Sequence, residues 1–291
     1  MLRLPFSECV AAVLNRLLNT HLTGWDIGFY CGRTPVHLRV LTNKVIAAEA
    51  WHTSSGTFDR VARGIAGRIC DGSDTVSDWL NIAVRAAVWF GIFADLKRSG
   101  IHRADVSVVG GDFTVPISAW YARHWGLPMG KIVCCCNENN AVWELLCHGQ
   151  MRTDMLSVPT MITEADVAVP AALERLIYEA GGPCETAAYL DACRQGLPYH
   201  PGDGILSRLR VGMYSVVVSS RRLESTVPGV FRSHGYLMAP GTALAYAGLQ
   251  DYRARTGQTD PCIIWAEENP MAKSDALSAL LGISREEIEN V

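Results

Sequence analysis

Residues Val106–Gly149 read VSVVGGDFTVPISAWYARHWGLPMGKIVCCCNENNAVWELLCHG, and this stretch decides the fold. It holds an apolar run, a Gly-Gly-Asp-Phe turn, a helix predicted to open near Pro116, and a second apolar run that ends in Asn-Glu-Asn-Asn. This order is typical of an α/β unit that binds phosphate, because glycines let the backbone approach an anion and a helix N-terminus attracts it. We expect Val106–Val109 and Lys131–Cys136 to be neighbouring parallel strands of one sheet.

Strand-like and helix-like segments alternate along the rest of the chain. Apolar residues at helical spacing or in short runs predict further strands at Trp25–Cys31, Val45–Trp51, Val211–Ser219 and Cys262–Ala266. Helices are predicted at Ser7–Leu18, Pro35–Val45, Thr57–Cys70, Ser77–Arg98, Ala171–Ala180, Glu185–Gln195, Gly241–Arg255 and Lys273–Leu281. The alternation favours an α/β fold, in which a mostly parallel sheet carries helices on both faces.

The composition excludes several classes of protein. With 49% hydrophobic residues, 19% charged residues and a net charge of -3, the chain of 291 residues is an ordinary globular protein without a basic footprint for nucleic acid. No run of about 18 apolar residues predicts a membrane span, and Arg3, Glu8 and Arg16 interrupt the first apolar stretch, so no secretory signal is expected. Ten irregularly spaced cysteines then indicate reduced thiols and a cytoplasmic location.

Neither the cysteines nor the histidines form a pattern that predicts a metal site. Cys134, Cys135 and Cys136 are consecutive, and side chains alternate between the faces of a strand, so the three thiols cannot converge on one ion. We interpret them as small apolar residues of a buried strand. The histidines show no metal-ligand spacing, so no metal is predicted.

In its residues and their spacing, Val106–Gly149 resembles threonine synthase, a pyridoxal-phosphate enzyme of the tryptophan-synthase-β fold type. Four further segments are similar to that family in the same order: Ser54–Arg68, Ser157–Gly182, His234–Tyr252 and Ile264–Gly282. The resemblance implies that residues 76–291 form the larger domain of the family. Residues 1–75 are then expected to be a remnant of its smaller α/β domain.

The resemblance also implies a set of cofactor-binding residues. The phosphate loop corresponds to Gly110–Val115, in which Gly110, Gly111, Asp112, Phe113 and Thr114 would surround the phosphate. Here the asparagine of the family is Asp112, whose carboxylate would repel a phosphate if it pointed inward, and its second glycine is Thr114. The alternative is a tight turn that caps the following helix through Asp112 or Thr114.

The asparagine pair and Glu267 also have two interpretations each, one as cofactor-binding residues and one as ordinary structural residues. Asn137 and Asn139 match an asn-x-asn stretch that lines the family's cleft, at the carboxyl end of a strand where open α/β sheets bind ligands. The alternative is that they belong to the start of a helix, for which Asn140 is the first candidate cap. Glu267 matches the threonine that holds the pyridine nitrogen, and the alternative there is a solvated strand end.

The catalytic lysine is the largest expected departure. In the family it lies upstream of the point that corresponds to Met1, and the four lysines of this sequence are Lys44, Lys97, Lys131 and Lys273. Of these, Lys273 is closest in sequence to the presumed ring-binding segment. We therefore expect a degenerate threonine-synthase-like protein that binds, regulates or supports other molecules without Schiff-base chemistry. The alternative is a pyridoxal-phosphate-dependent lyase that holds its cofactor non-covalently or is completed by a partner chain.

An apolar N-terminal segment predicts association. A chain with only a remnant of the smaller domain is expected to expose apolar surface, and such patches are often closed by contact with another chain. We therefore expect a homodimer, or a complex with a partner chain that covers the missing domain, through residues from Ser7 to Trp51. The alternative is a monomer whose first helix folds back on its own sheet.

Overall fold

The computed structural model describes residues 11–16, 36–41, 44–49, 63 and 74–289. Within these residues the strands are β1 (His37–Val40), β2 (Val45–Glu49), β3 (Ala104–Val109), β4 (Met129–Cys136), β5 (Met213–Val217) and β6 (Cys262–Ala266). The helices are α1 (Asp74–Arg98), α2 (Thr114–His124), α3 (Ala141–Trp143), α4 (Leu173–Gln195), α5 (Asp203–Arg210), α6 (Ser220–His234), α7 (Pro240–Thr256), α8 (Ser274–Leu281) and α9 (Arg285–Glu289). A π-helical turn, Glu144–His148, continues α3, and two 3₁₀ turns lie at Thr163–Ala165 and Pro270–Lys273.

The six described strands form one sheet in the order β1-β2-β6-β3-β4-β5. All neighbours are parallel except β1 and β2, which form an antiparallel pair at the edge. β3 and β4 are parallel neighbours, with Val106 opposite Ile132 and Val109 opposite Cys135. The predicted mostly parallel α/β fold is therefore confirmed, together with the pairing of its two central strands.

Alternate residues of each strand face opposite layers of helices. Val106, Val108, Ile132 and Cys134 belong to one hydrophobic cluster, which also contains the buried faces of α1, α2 and α4. Val133, Cys135, Cys262 and Ile264 belong to the other cluster, with α6, α7 and α8. This is the period of two that a pleated strand imposes. It also separates Cys135 from Cys134 and Cys136, as the sequence predicts.

α1 is the central buried helix of its layer. By length and composition it is the one helix among the described residues that could cross a membrane: its Asp78–Arg98 segment has a mean hydropathy of 1.3 in an 18-residue window. Yet 72% of that window is buried inside the fold, where Trp89 and Ile92 pack in the first hydrophobic cluster. A helix that is apolar nearly all round is expected in this position of a layered domain.

Several local predictions are confirmed or corrected by these elements. The helix predicted at Pro35–Val45 is wrong, because β1 and β2 form a hairpin there, with Lys44 at a φ of 59° in the turn. Leu38 and Val40 are residues that a strand accommodates as readily as a helix, and the edge pairing decides between the two. The two helices predicted between residues 171 and 195 are confirmed as the two segments of α4, which are separated by a kink at Gly182, whose φ of 73° and ψ of -170° are not helical. α5 and α6 were not expected from the sequence.

Some predictions lie partly or wholly outside the described residues. Those are the strand at Trp25–Cys31 and, apart from one helical residue, the helix at Thr57–Cys70. Residues 11–16 are helical, and Ala11 and Leu14 are buried in the first hydrophobic cluster. β1 and β2 belong to the same sheet as β3 to β6, and a division of the chain near residue 75 stays a prediction.

Candidate functional site at the carboxyl edge of the sheet

The topology brings the predicted site residues to one edge of the sheet. Gly110 follows β3, Asn137 follows β4 and Glu267 follows β6, and the parallel strands all end at the same side. From β3 the chain proceeds through β4 to β5 in one direction, whereas β6 lies on the other side of β3. Such a reversal of strand order is where open α/β sheets form a ligand-binding crevice. The candidate site is therefore this crevice.

The glycine loop, residues 110–114, is a tight turn that begins α2. The Phe113 N–H donates to the carbonyl of Gly110 at 2.9 Å, and Gly111 and Phe113 both have positive φ, of 42° and 74°. Phe113 is fully buried, so its side chain anchors the turn in the core. Gly110 is buried as well, and its N–H donates to the carbonyl of Cys135 at 2.8 Å. The backbone path is thus set by β3, β4 and the core.

Asp112 caps the helix that the glycine loop begins. Its Oδ1 accepts from the Thr114 N–H at 2.9 Å, and its Oδ2 accepts from the Thr114 hydroxyl at 2.8 Å. The next residues of the first turn are Val115 and Pro116, and proline has no N–H. The capping interpretation describes the observed contacts of Asp112, and an anion already sits at this helix N-terminus.

A second segment, residues 158–167, crosses the crevice, and we name it the strap. Its 3₁₀ turn, Thr163–Ala165, lies against both the glycine loop and the start of α7. A Cβ built on Gly111 would lie 2.5 Å from the carbonyl oxygen of Glu164. A Cβ on Gly241, in the first turn of α7, would overlap the Glu164 carboxylate. Glu164 of the strap therefore occupies the space that a Cβ would need at both Gly111 and Gly241.

Asn137 and Asn139 hold the strap in place. The amide of Asn137, which is fully buried, donates to Thr160 Oγ1 at 3.0 Å and to Asp166 Oδ1 at 2.8 Å. Asn139 accepts from the Val158 N–H at 2.7 Å and donates to the Val158 carbonyl at 2.9 Å. Asp166 also accepts from the backbone and hydroxyl of Thr160. The asparagines thus make strap contacts at the position that the resemblance assigns to the cleft.

Asn140 occupies the N-cap position of α3 but makes no side-chain capping bond. The neighbouring Glu138 instead caps a different helix, α6, because its carboxylate accepts from the N–H and the hydroxyl of Ser220 at 2.9 Å each. The Asn-Glu-Asn-Asn stretch therefore organises the loops around the crevice.

The Glu267 carboxylate accepts two hydrogen bonds, one from α1 and one from β6, the strand that it follows. Arg85 of α1 donates to Oε1 at 2.6 Å, and the Trp265 indole donates to Oε2 at 2.9 Å. The Arg85 side chain is only 9% exposed and that of Glu267 is 38% exposed. Glu267 is therefore the partner of a buried guanidinium rather than a fully solvated strand end. The sequence gives no signal that α1 would bring an arginine to this point.

A third cluster, which sequence reasoning missed, joins the strap to the turn after β6. The Lys273 ammonium donates to Thr163 Oγ1 at 3.1 Å and lies 3.5 Å from Glu268 Oε1. The carboxyl groups of Glu164 and Glu268 are close enough to affect each other's protonation. Burial, together with the Glu268 charge, raises the pKa of Glu164 to about 7, and burial raises the pKa of Glu268 as well.

Thiol and metal chemistry have little support among the described residues. No group of three or more His, Cys, Asp and Glu side chains there fits a metal ion. Burial raises the pKa of the Cys135 thiol to about 12, and a hydrogen bond with the Cys136 thiol, together with burial, raises the pKa of Cys134 well above its ordinary value, so these two thiols are poor nucleophiles.

Threonine synthases are among the solved structures with the same architecture. The PLP-bound threonine synthase from Brucella melitensis superposes with a TM-score of 0.82 at 14% identity, over 96% of this chain and 81% of that one. The yeast threonine synthase gives the same TM-score and identity, over 98% and 82% of the two chains. The fold is that of threonine synthase.

The sequence comparison agrees with the threonine synthase fold. The threonine synthase of Pseudomonas aeruginosa is 26% identical over 179 residues, which is 60% of this chain. The match spans 38% of the length of that curated relative. No protein-family model matches the chain. The resemblance read from Val106–Gly149 is thus confirmed by both sequence and fold.

Proposed function

We propose that this chain is a degenerate threonine-synthase-like protein, which acts as a binding, regulatory or structural protein without the usual pyridoxal-phosphate Schiff-base chemistry. One observation carries the proposal: the groups that the resemblance assigns to a cofactor make hydrogen bonds or close contacts within the protein, with one another, with the strap or with residues of the sheet and α1. A cofactor site needs donors that are preorganised toward the ligand.

The glycine loop does not fit a phosphate group as it is folded. A phosphate needs bare backbone and N–H donors, but the carbonyl oxygen of Glu164 lies over Gly111 and the Thr114 N–H donates to Asp112. Pro116 contributes no donor to the first turn of α2. The nearest side-chain charge on the loop, Asp112, is negative. These features favour a turn that caps a helix over a turn that binds an anion.

The ring-binding and lysine positions support the same conclusion. Both carboxylate oxygens of Glu267 already accept hydrogen bonds, from Arg85 and Trp265. Among the four lysines of the chain, Lys273 lies beside the crevice, and its ammonium contacts Glu268 and Thr163. A Schiff-base lysine must turn its amine toward the cofactor, whereas the Lys273 amine is engaged by Glu268 and Thr163.

The alternative is a pyridoxal-phosphate-dependent lyase of the threonine synthase type, with non-covalent cofactor or with a partner chain. The observation that favours it is the agreement of fold with a PLP-bound threonine synthase over nearly the whole chain. In that case the strap must move away from Gly111 when the cofactor enters. The two functions therefore differ in what pyridoxal phosphate does to the purified protein.

A titration with pyridoxal phosphate separates them. We expect no new visible absorbance, no rise in melting temperature, and no lysine modified after borohydride reduction. A ligand at about 100 times its Kd would stabilise the native state by about 2.7 kcal/mol, which is well within the sensitivity of thermal unfolding. Inorganic phosphate serves as the control for nonspecific anion effects, and Lys273→Met as the control for reaction at that amine.

Each other result has a definite meaning. Borohydride fixation on Lys273 that disappears in Lys273→Met would overturn the proposal in favour of Schiff-base chemistry. Stabilisation without fixation would support the non-covalent form of the alternative. Stabilisation that appears only when a second chain is added would support the enzyme completed by a partner.

Association and location remain part of the proposal. We propose a homodimer or a complex with a covering partner chain through residues 7–51, of which residues 11–16, 36–41 and 44–49 are described. The burial of Leu14 in the chain's own core favours a helix that packs on its own fold at that point. Light scattering at micromolar concentration tests the homodimer, because a mass of 31.8 kDa would contradict it.

The described cysteines are free thiols, which supports a reducing, cytoplasmic location.

A further inference from the structure

The strap is closed over the crevice by contacts of two kinds at its two ends. At residues 158–160 and 166 it is fixed by neutral and charged hydrogen bonds to Asn137 and Asn139. At Thr163–Ala165 it is fixed by Glu164, which meets Glu268, and by Thr163, which meets Lys273. The second end contains Glu164, whose pKa burial raises to about 7, so we expect its contacts to change near neutral pH.

Glu164 and Glu268 are placed so that one proton must lie between them. Glu268 Oε1 faces the Lys273 ammonium, whereas Glu268 Oε2 is buried and has no hydrogen-bond partner among the described residues when both carboxyl groups are ionised. A buried carboxylate oxygen without a donor is costly, and two adjacent carboxylates repel each other. A proton on Glu164 removes both penalties, because the carboxyl O–H can then donate to Glu268.

The other groups around Glu164 do not replace this proton. The Glu164 carboxyl lies on Gly241, and the first turn of α7 carries no acidic residue. The Asp112 carboxylate is turned toward Thr114, and Asp166 is bonded to Asn137, Asn139 and Thr160. Among the described residues, Lys273 is the one cation that contributes to the environment of the pair, and a single ammonium cannot neutralise two carboxylates.

We propose that Glu164, Glu268 and Lys273 form a proton-controlled latch, which holds the strap closed over Gly111 and Gly241 and opens when the shared proton leaves. In the closed state the strap covers the beginnings of α2 and α7. In the open state both helix N-termini face the crevice, so pH controls access to the candidate site. The latch is independent of the proposed function, because it needs no ligand.

The sign of the pH dependence follows from the raised pKa. A carboxyl group that binds its proton more tightly when closed favours closure at low pH, and this contribution is lost as pH rises through the closed-state value of about 7. With an ordinary value of 4.5 in the open state, the opening equilibrium increases about tenfold between pH 6 and pH 8. Below the ordinary pKa of 4.5, Glu164 is protonated in both states, and the opening equilibrium no longer depends on pH.

Hydrogen exchange of the strap tests the latch directly. The reporters are the amides of Ala165, Asp166 and Val167, which donate to carbonyls within the turn. After correction for the intrinsic rate of exchange, we expect these amides to open about tenfold more often at pH 8 than at pH 6. Glu164→Gln retains the shape and a donor without the titration, so its opening should be the same at both pH values.

The controls keep the experiment decisive. Glu268→Gln removes the neighbouring charge but leaves Glu164 buried, so a weaker pH dependence than that of the wild type is expected. Glu289→Gln alters an exposed ion pair with Arg285, outside the latch, and should behave as the wild type. The proposal is overturned if corrected exchange in the wild type is equal at pH 6 and pH 8, whether or not the variants fold. It is also overturned if Glu164→Gln folds and keeps the wild-type pH dependence.

Discussion

Two loops meet at the carboxyl edge of the sheet, and they differ in how much their sequences reveal. The glycine loop, residues 110–114, resembles a phosphate-binding turn in wording, but its Asp112 bonds to its own helix. The strap, residues 158–167, reads as a plain connection, yet Glu164 contacts both Gly111 and Gly241. Sequence similarity to a phosphate-binding turn therefore predicts the path of the backbone. Whether the backbone N–H groups can bind a ligand depends on what packs over them.

The same comparison explains why Gly111 and Gly241 are glycines in this chain. A glycine at positive φ with an anion above it and a glycine with a protein carbonyl above it look identical in a sequence. In this fold the space above each Cα is filled by Glu164. Substitutions at such positions measure the contact directly, and a glycine elsewhere with the same backbone conformation supplies the control.

The largest effect is expected for Gly111→Ala. The new Cβ would lie 2.5 Å from the Glu164 carbonyl oxygen, and a φ of 42° already disfavours alanine. Left-handed strain of about 1–2 kcal/mol and overpacking of about 1–3 kcal/mol together predict a loss of about 3 kcal/mol or more in the free energy of unfolding. Urea denaturation measures it. Gly257→Ala, at a φ of 71° with open space around it, should lose only the strain of about 1–2 kcal/mol.

Equal losses in Gly111→Ala and Gly257→Ala would contradict the contact between the strap and the glycine loop. A large loss in Gly111→Ala that is accompanied by faster exchange of the strap amides would sharpen it. In that case the added methyl group displaces the strap rather than the loop.

The next effect is expected at the fixed end of the strap. Asn137→Ala removes the buried amide that donates to Asp166 and Thr160, and so takes one of its donors from the Asp166 carboxylate. Because hydrogen bonds to charged groups contribute about 1.5–3 kcal/mol, we expect the free energy of unfolding to fall by about that amount. Asn140→Ala is the matched control, since Asn140 makes no capping bond, and it should change stability by less than about 0.5 kcal/mol. Similar losses in both variants would mean that the strap is held by other contacts.

The sequence predicts the sheet well and the site only in part, and the reason is physical. β3, β4 and β6 are short apolar runs bounded by glycine, asparagine or glutamate, so local periodicity suffices to find them. The hairpin at residues 37–49 was missed because its strand β1 is exposed and depends on pairing with β2. Arg85 and Glu267 are 182 residues apart, and Lys273 and Thr163 are 110 apart. No local pattern encodes such pairs, because only the packing of α1 and the strap on the sheet creates them.

The smallest effect on stability is expected at Asp112. Variants there distinguish the charge of Asp112 from the carbonyl of Glu164 as the feature that keeps anions out of the glycine loop. Asp112 is exposed and the hydrogen bonds of its side chain are confined to Thr114, so Asp112→Ala should lose only a helix cap, about 1 kcal/mol, and Asp112→Asn about half of that. Asp112→Asn also removes the charge that would repel a phosphate. If the side chain alone closed the loop, this variant would gain a phosphate-dependent rise in melting temperature. We expect no such rise, because the Glu164 carbonyl still lies over Gly111 and is untouched by the substitution. A phosphate-dependent rise in Asp112→Asn would show that the charge of Asp112, and not the strap, keeps anions out of the loop.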